Sequence, residues 1–211
     1  VTAFLATTMT QSRENITRAL KAAAAFKSDG GAELIGVHLE GPFISRKYLG
    51  AQKSEFVSAP AVEYFSELQQ AAGGKIKLVT LAPEEGGEEL IKDLVASGVV
   101  SSVGHSAATF AQVDSARKLG LSCVTHTFNA QSPFNHREAG VVGAALSCDD
   151  LFCEVIADTV HVSVPALKLL LKNKPDDKIV LITDAIRAKG QGDGVSELGG
   201  QTVFVNDGQA R

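Results

Sequence analysis

Five side chains able to bind a metal or move a proton fall at or just past the ends of short apolar runs. They are Glu40 after Ile35-Gly36-Val37-His38-Leu39, His105 after Val103-Gly104, His126 after Val124-Thr125, His161 a few residues after Ile156, and Asp184 after Ile182-Thr183. Two histidines and one carboxylate form a three-ligand set that holds a catalytic divalent cation and leaves a position open for water. Glu40, His105 and His126 are the natural trio. Taken singly, each has a structural explanation, since a histidine at a strand end can satisfy a buried hydrogen bond and an aspartate can cap a helix. Their recurrence at equivalent positions calls for a common cause. His38 competes with the trio, because residues two apart in a strand share a face, but it sits one layer deeper and reads as a structural or supporting group. His136, in Pro133-Phe134-Asn135-His136-Arg137, reads as loop or surface packing, and Cys123 as a small apolar residue.

Residues this distant in sequence meet only if the runs are strands whose ends share one face. Strands are predicted at about 1–5, 34–39, 76–81, 99–103, 123–127, 152–156 and 179–183, with helices at 12–26, 61–72, 87–97, 109–119 and 164–171 and caps at Ser12 and Ser106. Alternation of apolar strands with helices points to a parallel sheet covered by helices, either doubly wound or closed into a barrel. The glycine-rich phosphate loops of doubly wound nucleotide binders, GxGxxG or GxxxxGK[ST], are absent. The expected fold is therefore α/β, a (β/α)8 TIM-type barrel with about seven of its eight strands in this chain, and active sites of such barrels lie at the carboxyl ends of the strands. Residues 1–190 are expected to form this partial metal-dependent hydrolase barrel, and 191–211 a loop and hairpin leading out of it, the hairpin centred on 202–208. Val1-Thr2-Ala3-Phe4-Leu5 reads as a chain cut from something longer, with the first barrel strand missing.

The bulk numbers exclude other classes. In 211 residues, 24 acidic and 20 basic side chains give a net charge of −4 and are scattered, so no basic stripe offers itself to nucleic acid. No apolar run nears the roughly 20 residues that span a bilayer, so no membrane partner is expected. Three cysteines without CxxC spacing fit reduced thiols in a cytoplasmic protein.

The longest motifs are Gly36-Val37-His38-Leu39-Glu40-Gly41-Pro42-Phe43, Gly104-His105-Ser106, Thr125-His126-Thr127-Phe128-Asn129-Ala130, His136-Arg137-Glu138-Ala139-Gly140, Ile156-Ala157-Asp158-Thr159-Val160-His161 and Ile182-Thr183-Asp184-Ala185. In this order, over about residues 1–190, they resemble the N-acetylglucosamine-6-phosphate deacetylases of the amidohydrolase superfamily. The resemblance implies a divalent metal ion, with zinc expected and iron or manganese compatible, held by Glu40, His105 and His126, and Asp184 as catalytic acid and base. It implies substrate contacts from Asn129 and Ala130 through backbone groups, and from Arg137 and His161 through side chains, toward a phosphosugar whose acetamide is hydrolysed in amino-sugar catabolism. A homodimer of the full-length protein is implied in the same way.

Three departures accompany the resemblance. Gln52 stands where some members have a histidine that helps polarise the amide carbonyl, so an amide donor takes that place among the substrate-binding residues. Ala139 replaces a proline common in the arginine loop. The paired histidines that many relatives carry on the first barrel strand are absent from this chain, which leaves a second metal open for the intact protein. The alternatives are another amidohydrolase acting on a different amide, such as a cyclic ureide or an N-acetyl amino acid, and an inactive phosphosugar-binding or structural fragment.

Overall fold

The structure is a computed structural model that describes residues 1–210. Seven strands form one parallel sheet in strictly sequential order: β1 (Ala3–Thr8), β2 (Glu33–Glu40), β3 (Ile76–Leu81), β4 (Val100–Val103), β5 (Cys123–Val124), β6 (Phe152–Ile156) and β7 (Ile179–Ile182). Each connection between neighbours carries a helix: α1 (Arg13–Ala25), α2 (Val62–Ala71), α3 (Glu88–Ala96), α4 (Phe110–Lys118), α5 (Gly140–Ser147) and α6 (Val164–Asn173). The chain is thus α/β with a parallel sheet, as the alternation of patterns predicted. The two edge strands approach a common cavity, with Thr7 and Thr8 of β1 and Asp184 just past β7 all lining it, so the sheet curls.

The curl divides the strand residues by period two. Val37, Leu39, Val79, Leu81, Val103, Val124, Cys153 and Val155 join Ile16, Leu20, Phe65, Leu68, Leu90, Ile91 and Leu94 of the helices in one apolar cluster. Each fully buried leucine there contributes on the order of 2 kcal/mol through removal of apolar surface from water. The alternate residues, His38, Glu40, Thr80, Ser102, Thr125 and Glu154, are also buried but polar. The concave side of the sheet is therefore a polar interior, and its side chains depend on one another for hydrogen bonds.

Several elements differ from the sequence reading for identifiable reasons. The first strand runs three residues further than expected, because Ala6, Thr7 and Thr8 pair with Val37, His38 and Leu39. The fifth is only two residues long, since His126 turns into a left-handed conformation. Helix α5 was not predicted at all. Six of its eight residues are buried, so it lacks an amphipathic period, and its two glycines and two valines carry low helix propensity. Gly140 opens it at φ +61°, where an added Cβ would lie 2.9 Å from the carbonyl oxygens of both Ser132 and Pro133. Ser12 does cap α1, accepting from the Asn15 N–H at 3.3 Å. Ser106 is not a cap: Thr109 begins α4 with a capping box to Gln112, and the Ser106 hydroxyl donates to Glu84.

Beyond β7 the chain forms a three-stranded antiparallel sheet of β8 (Gly194–Leu198), β9 (Gln201–Asn206) and β10 (Gln209–Ala210). The β8–β9 turn reaches back over the strand ends: Gln201 Nε2 donates to the Ala51 carbonyl and Gln11 Nε2 to that of Gly199, both at 2.7 Å. The three cysteines are unpaired, and burial pushes the Cys123 thiol up to about 12, consistent with an inert packing role. Among the described residues, no helix is long and apolar enough to cross a membrane.

Candidate active site

Strands β2, β4 and β5 deliver Glu40, His105 and His126 to one point at their carboxyl ends. One ligand atom from each lies within 4.8 Å of the others, and all three residues are buried. His105 Nε2 is 2.8 Å from Glu40 Oε1 and 3.1 Å from His126 Nε2, and His126 Nε2 is 3.5 Å from the same carboxylate oxygen. The two rings meet edge to face.

The hydrogen-bond chemistry decides what this cluster wants. His105 Nδ1 lies 2.9 Å from the Tyr48 carbonyl oxygen, which only accepts, so Nδ1 carries a proton. In the neutral ring, Nε2 then presents a lone pair to a carboxylate oxygen and to a second ring nitrogen. Such a convergence of electron pairs needs a cation at its centre, either protons on the rings or a metal ion. The metal-free electrostatics show the same demand. Burial works against the charge of Glu40, yet bonds from His105 and His126 hold its carboxyl well below the usual range. Burial also opposes protonation of His126, and Glu40 overcomes it, leaving that imidazole above its ordinary value. Three buried N and O donors focused on one point fit a divalent cation.

The ligands are held from behind. Glu84 accepts from the Ser106 hydroxyl and the Ala107 N–H, fixing the loop after His105. Below the trio runs a chain of short contacts: His38 Nε2 to Thr80 Oγ1 at 2.7 Å, Thr80 to Thr125 at 2.7 Å, and Thr125 to Ser102 at 2.6 Å. His38 is therefore a supporting group, and burial lowers its pKa to about 4, which keeps the ring neutral. Gly104 permits the close packing above this chain, since a Cβ there would sit 2.8 Å from both Thr80 and Thr125 side chains.

A cavity of about 520 Å³ opens over the trio. Eight of the nine residues singled out from sequence line it: Glu40, Gln52, His105, His126, Asn129, Ala130, His161 and Asp184. Arg137 does not; it lies on the exposed 133–138 loop, where its backbone N–H donates to Asn135 Oδ1. A larger cavity of about 960 Å³ adjoins, sharing Ile156, His161 and Asp184 and walled by Val205 and Ala210 of the small sheet. Asp184 opens toward both. Desolvation by the walls, followed by the Glu40 charge, raises its pKa, the direction a group needs if it is to take and return a proton near neutrality. His161 is oriented by Asp158, whose Oδ2 lies 2.6 Å from Nδ1 and whose Oδ1 accepts from the backbone of Val160 and His161.

Backbone strain collects here. Of seven non-glycine residues with positive φ among the described residues, His105, His126, Phe128, Ala130, Thr159 and Asp184 belong to the loops of this site. Strained conformations cluster where geometry matters more than stability. Thr159 is the most costly, being β-branched at φ +66°. Thr159→Gly is expected to stabilise the protein by about 1 kcal/mol, the relief of left-handed strain exceeding the added chain entropy; a chemical denaturation midpoint that is unchanged or lower would contradict it.

Sequence reading missed one interior carboxylate. Glu154 is buried in the middle of β6 with Oε2 unpartnered, and desolvation pushes it up to about 7. The available signal was a charge amid Phe152-Cys153-Glu154-Val155-Ile156. A carboxyl whose folded pKa exceeds its ordinary 4.5 costs stability as pH rises from about 4.5 to 7, because the native state then holds the proton that the unfolded chain has lost. Glu154→Gln in metal-stripped protein is accordingly expected to gain about 1–3 kcal/mol at pH 8 and little at pH 5. Urea titrations at the two pH values check this, and an equal change at both would refute the pH linkage.

No family model matches the chain. Whole proteins do. It is 50% identical over 210 residues to the N-acetylglucosamine-6-phosphate deacetylase of Bacillus subtilis, an alignment covering 97% of this chain and 53% of the relative, and 45% identical to that of Lysinibacillus sphaericus, covering 99% and 55%. The chain is a homologue of the N-acetylglucosamine-6-phosphate deacetylases. It spans about half the length of the relatives it matches. A Thermotoga maritima deacetylase superposes on all of it with a TM-score of 0.90 at 39% identity, using 57% of that chain. A mutant deacetylase from Mycobacterium smegmatis in complex with N-acetyl-D-glucosamine-6-phosphate gives 0.95 at 33% identity, using 55%. The curled seven-stranded sheet is therefore the deacetylase architecture over this region.

Proposed function

We propose that the full-length protein hydrolyses the acetamide of N-acetylglucosamine 6-phosphate to glucosamine 6-phosphate and acetate. The observation that carries this reading is a carboxyl, Asp184, sharing one cavity with the convergent Glu40–His105–His126 trio without belonging to that trio. A bound divalent cation would supply a water of pKa lowered toward about 7 and Lewis-acid polarisation of the acetamide carbonyl. Zinc is the expected ion, and the same His₂Glu donors accommodate iron or manganese. Glu40, His105 and His126 would hold it.

Asp184 takes a proton from the attacking water as the new oxygen–carbon bond forms. It returns that proton to the sugar nitrogen as the carbon–nitrogen bond breaks, releasing acetate and the amine. Backbone groups of Asn129 and Ala130 and the side chain of His161 face the phosphate. Arg137 adds a planar fork suited to the same group, from a loop outside the cavity of this single chain. Gln52 borders the acetamide end. We read the seven strands as most of an eight-stranded amidohydrolase barrel, a reading supported by their sequential order and by the approach of both edges to one cavity.

The test is acetate release by zinc-loaded full-length protein from N-acetylglucosamine 6-phosphate, unphosphorylated N-acetylglucosamine and an N-acetyl amino acid. A charged hydrogen bond to phosphate contributes about 1.5–3 kcal/mol, so kcat/KM for the phosphosugar is expected to lead by at least about tenfold. Equal rates on the amino-acid amide would overturn the assignment.

A further inference from the structure

Gln52 is 8% exposed, and both ends of its amide are occupied. The buried backbone N–H of Thr10, in the β1–α1 loop, donates to Gln52 Oε1 at 2.6 Å. Gln52 Nε2 donates to Glu40 Oε1 at 3.1 Å. Amide oxygen and nitrogen are often interchangeable in a structure, but here chemistry settles the orientation. A backbone N–H only donates and a carboxylate only accepts, so the reversed amide would place donor against donor and acceptor against acceptor.

The oxygen that Gln52 holds is the one that faces His105 Nε2 and His126 Nε2. The terminal torsion of a glutamate is broad, so an unpinned Glu40 could rotate this oxygen away at little cost. The segment carrying Gln52 is itself braced. Its N–H bonds to the Leu49 carbonyl at 2.9 Å, the Ala51 carbonyl accepts from Gln201 in the small sheet, and Gly50 packs so closely that a Cβ would lie 3.3 Å from the His105 ring.

We propose that Gln52 is a positioning residue: its amide locks Glu40 with Oε1 turned toward the two histidines and ties that carboxylate to the β1–α1 loop. The inference rests on the metal-site reading above. It adds a task to the place that the amide has beside the substrate carbonyl, because one of the two N–H donors of Nε2 is given to the ligand. Partners of this kind set the affinity of metal sites, and losing one costs about 10–100-fold.

The experiment measures zinc affinity by chelator competition in the full-length protein, alongside the melting temperature of the metal-free form. Gln52→Met keeps the length and removes both hydrogen bonds. A 10–100-fold weaker zinc affinity in folded protein is expected, with kcat falling in parallel at subsaturating zinc and recovering in excess zinc. A purely structural role for the Thr10 contact would lower the metal-free melting temperature and leave zinc affinity untouched, and that result overturns the proposal. If the methionine variant does not fold, Gln52→His, whose ring can donate toward Glu40, carries the test: affinity within about threefold of the parent supports the proposal, and a tenfold loss with native circular dichroism overturns it. Failure of the parent protein itself to bind zinc would sink the metal-site reading, and this one with it.

Discussion

Asp184→Asn in the full-length protein is expected to lower deacetylase turnover by about 10²–10⁴-fold while metal content stays unchanged. The residue lies two positions past the end of β7, at φ +47°, and lines the cavity over the trio without belonging to that trio. Asparagine preserves the shape and the strained backbone, since short polar side chains tolerate the left-handed region, but it cannot accept a proton from water. The raised pKa of Asp184 sharpens the expectation. A carboxyl that takes the proton on one step returns it on the next, and its loss should flatten the acid limb of the kcat profile as well as lower the plateau. Acetate release measured against pH, with metal determined by atomic absorption on the same samples, checks both halves. Near-normal turnover would remove Asp184 from the reaction; lost metal with lost turnover would reassign it as a ligand.

His126→Gln should instead empty the site. Outer partners of metal ligands are worth about 10–100-fold in affinity, so deleting a ligand should cost more than about 100-fold, enough to take bound metal from near one per chain to a trace after dialysis. Glutamine is close in reach but presents a weak amide oxygen where the ring nitrogen stood 3.1 Å from His105 Nε2 and 3.5 Å from Glu40 Oε1. In the metal-free protein, Glu40 would also lose the contribution of His126 among those that offset its burial, so its pKa should rise. Unchanged stoichiometry by atomic absorption would exclude His126 as a ligand, and retained metal with lost activity would move it into the catalytic group.

Much of the candidate site is legible in the sequence because parallel α/β architecture makes position informative. Once the apolar runs are strands with helices between them, the residue at each carboxyl end must lie on a common face. Glu40, His105, His126 and Asp184 could therefore be grouped from four distant segments. Strand interiors were less legible. Runs such as Val37-His38-Leu39-Glu40 are buried on both faces, and the polar half of the alternation, as at Thr80, Ser102 and Thr125, looks like noise in an apolar segment until the fold brings those residues together. Helix α5 was illegible for a related reason: an element buried on all sides has no polar face to set a period.

The sequence by itself determined which residues could do the chemistry and the order of the elements that present them, since residue type and hydrophobic period are local properties. Tertiary structure alone decided how those residues are held. The tautomer of His105 depends on the carbonyl of Tyr48, and the orientation of Glu40 on an amide anchored by the backbone of Thr10. The Tyr48 carbonyl and the Thr10 N–H are main-chain groups, of a kind that almost every residue possesses and no sequence pattern marks; the fold gives them a role by bringing them to His105 and to the Gln52 amide.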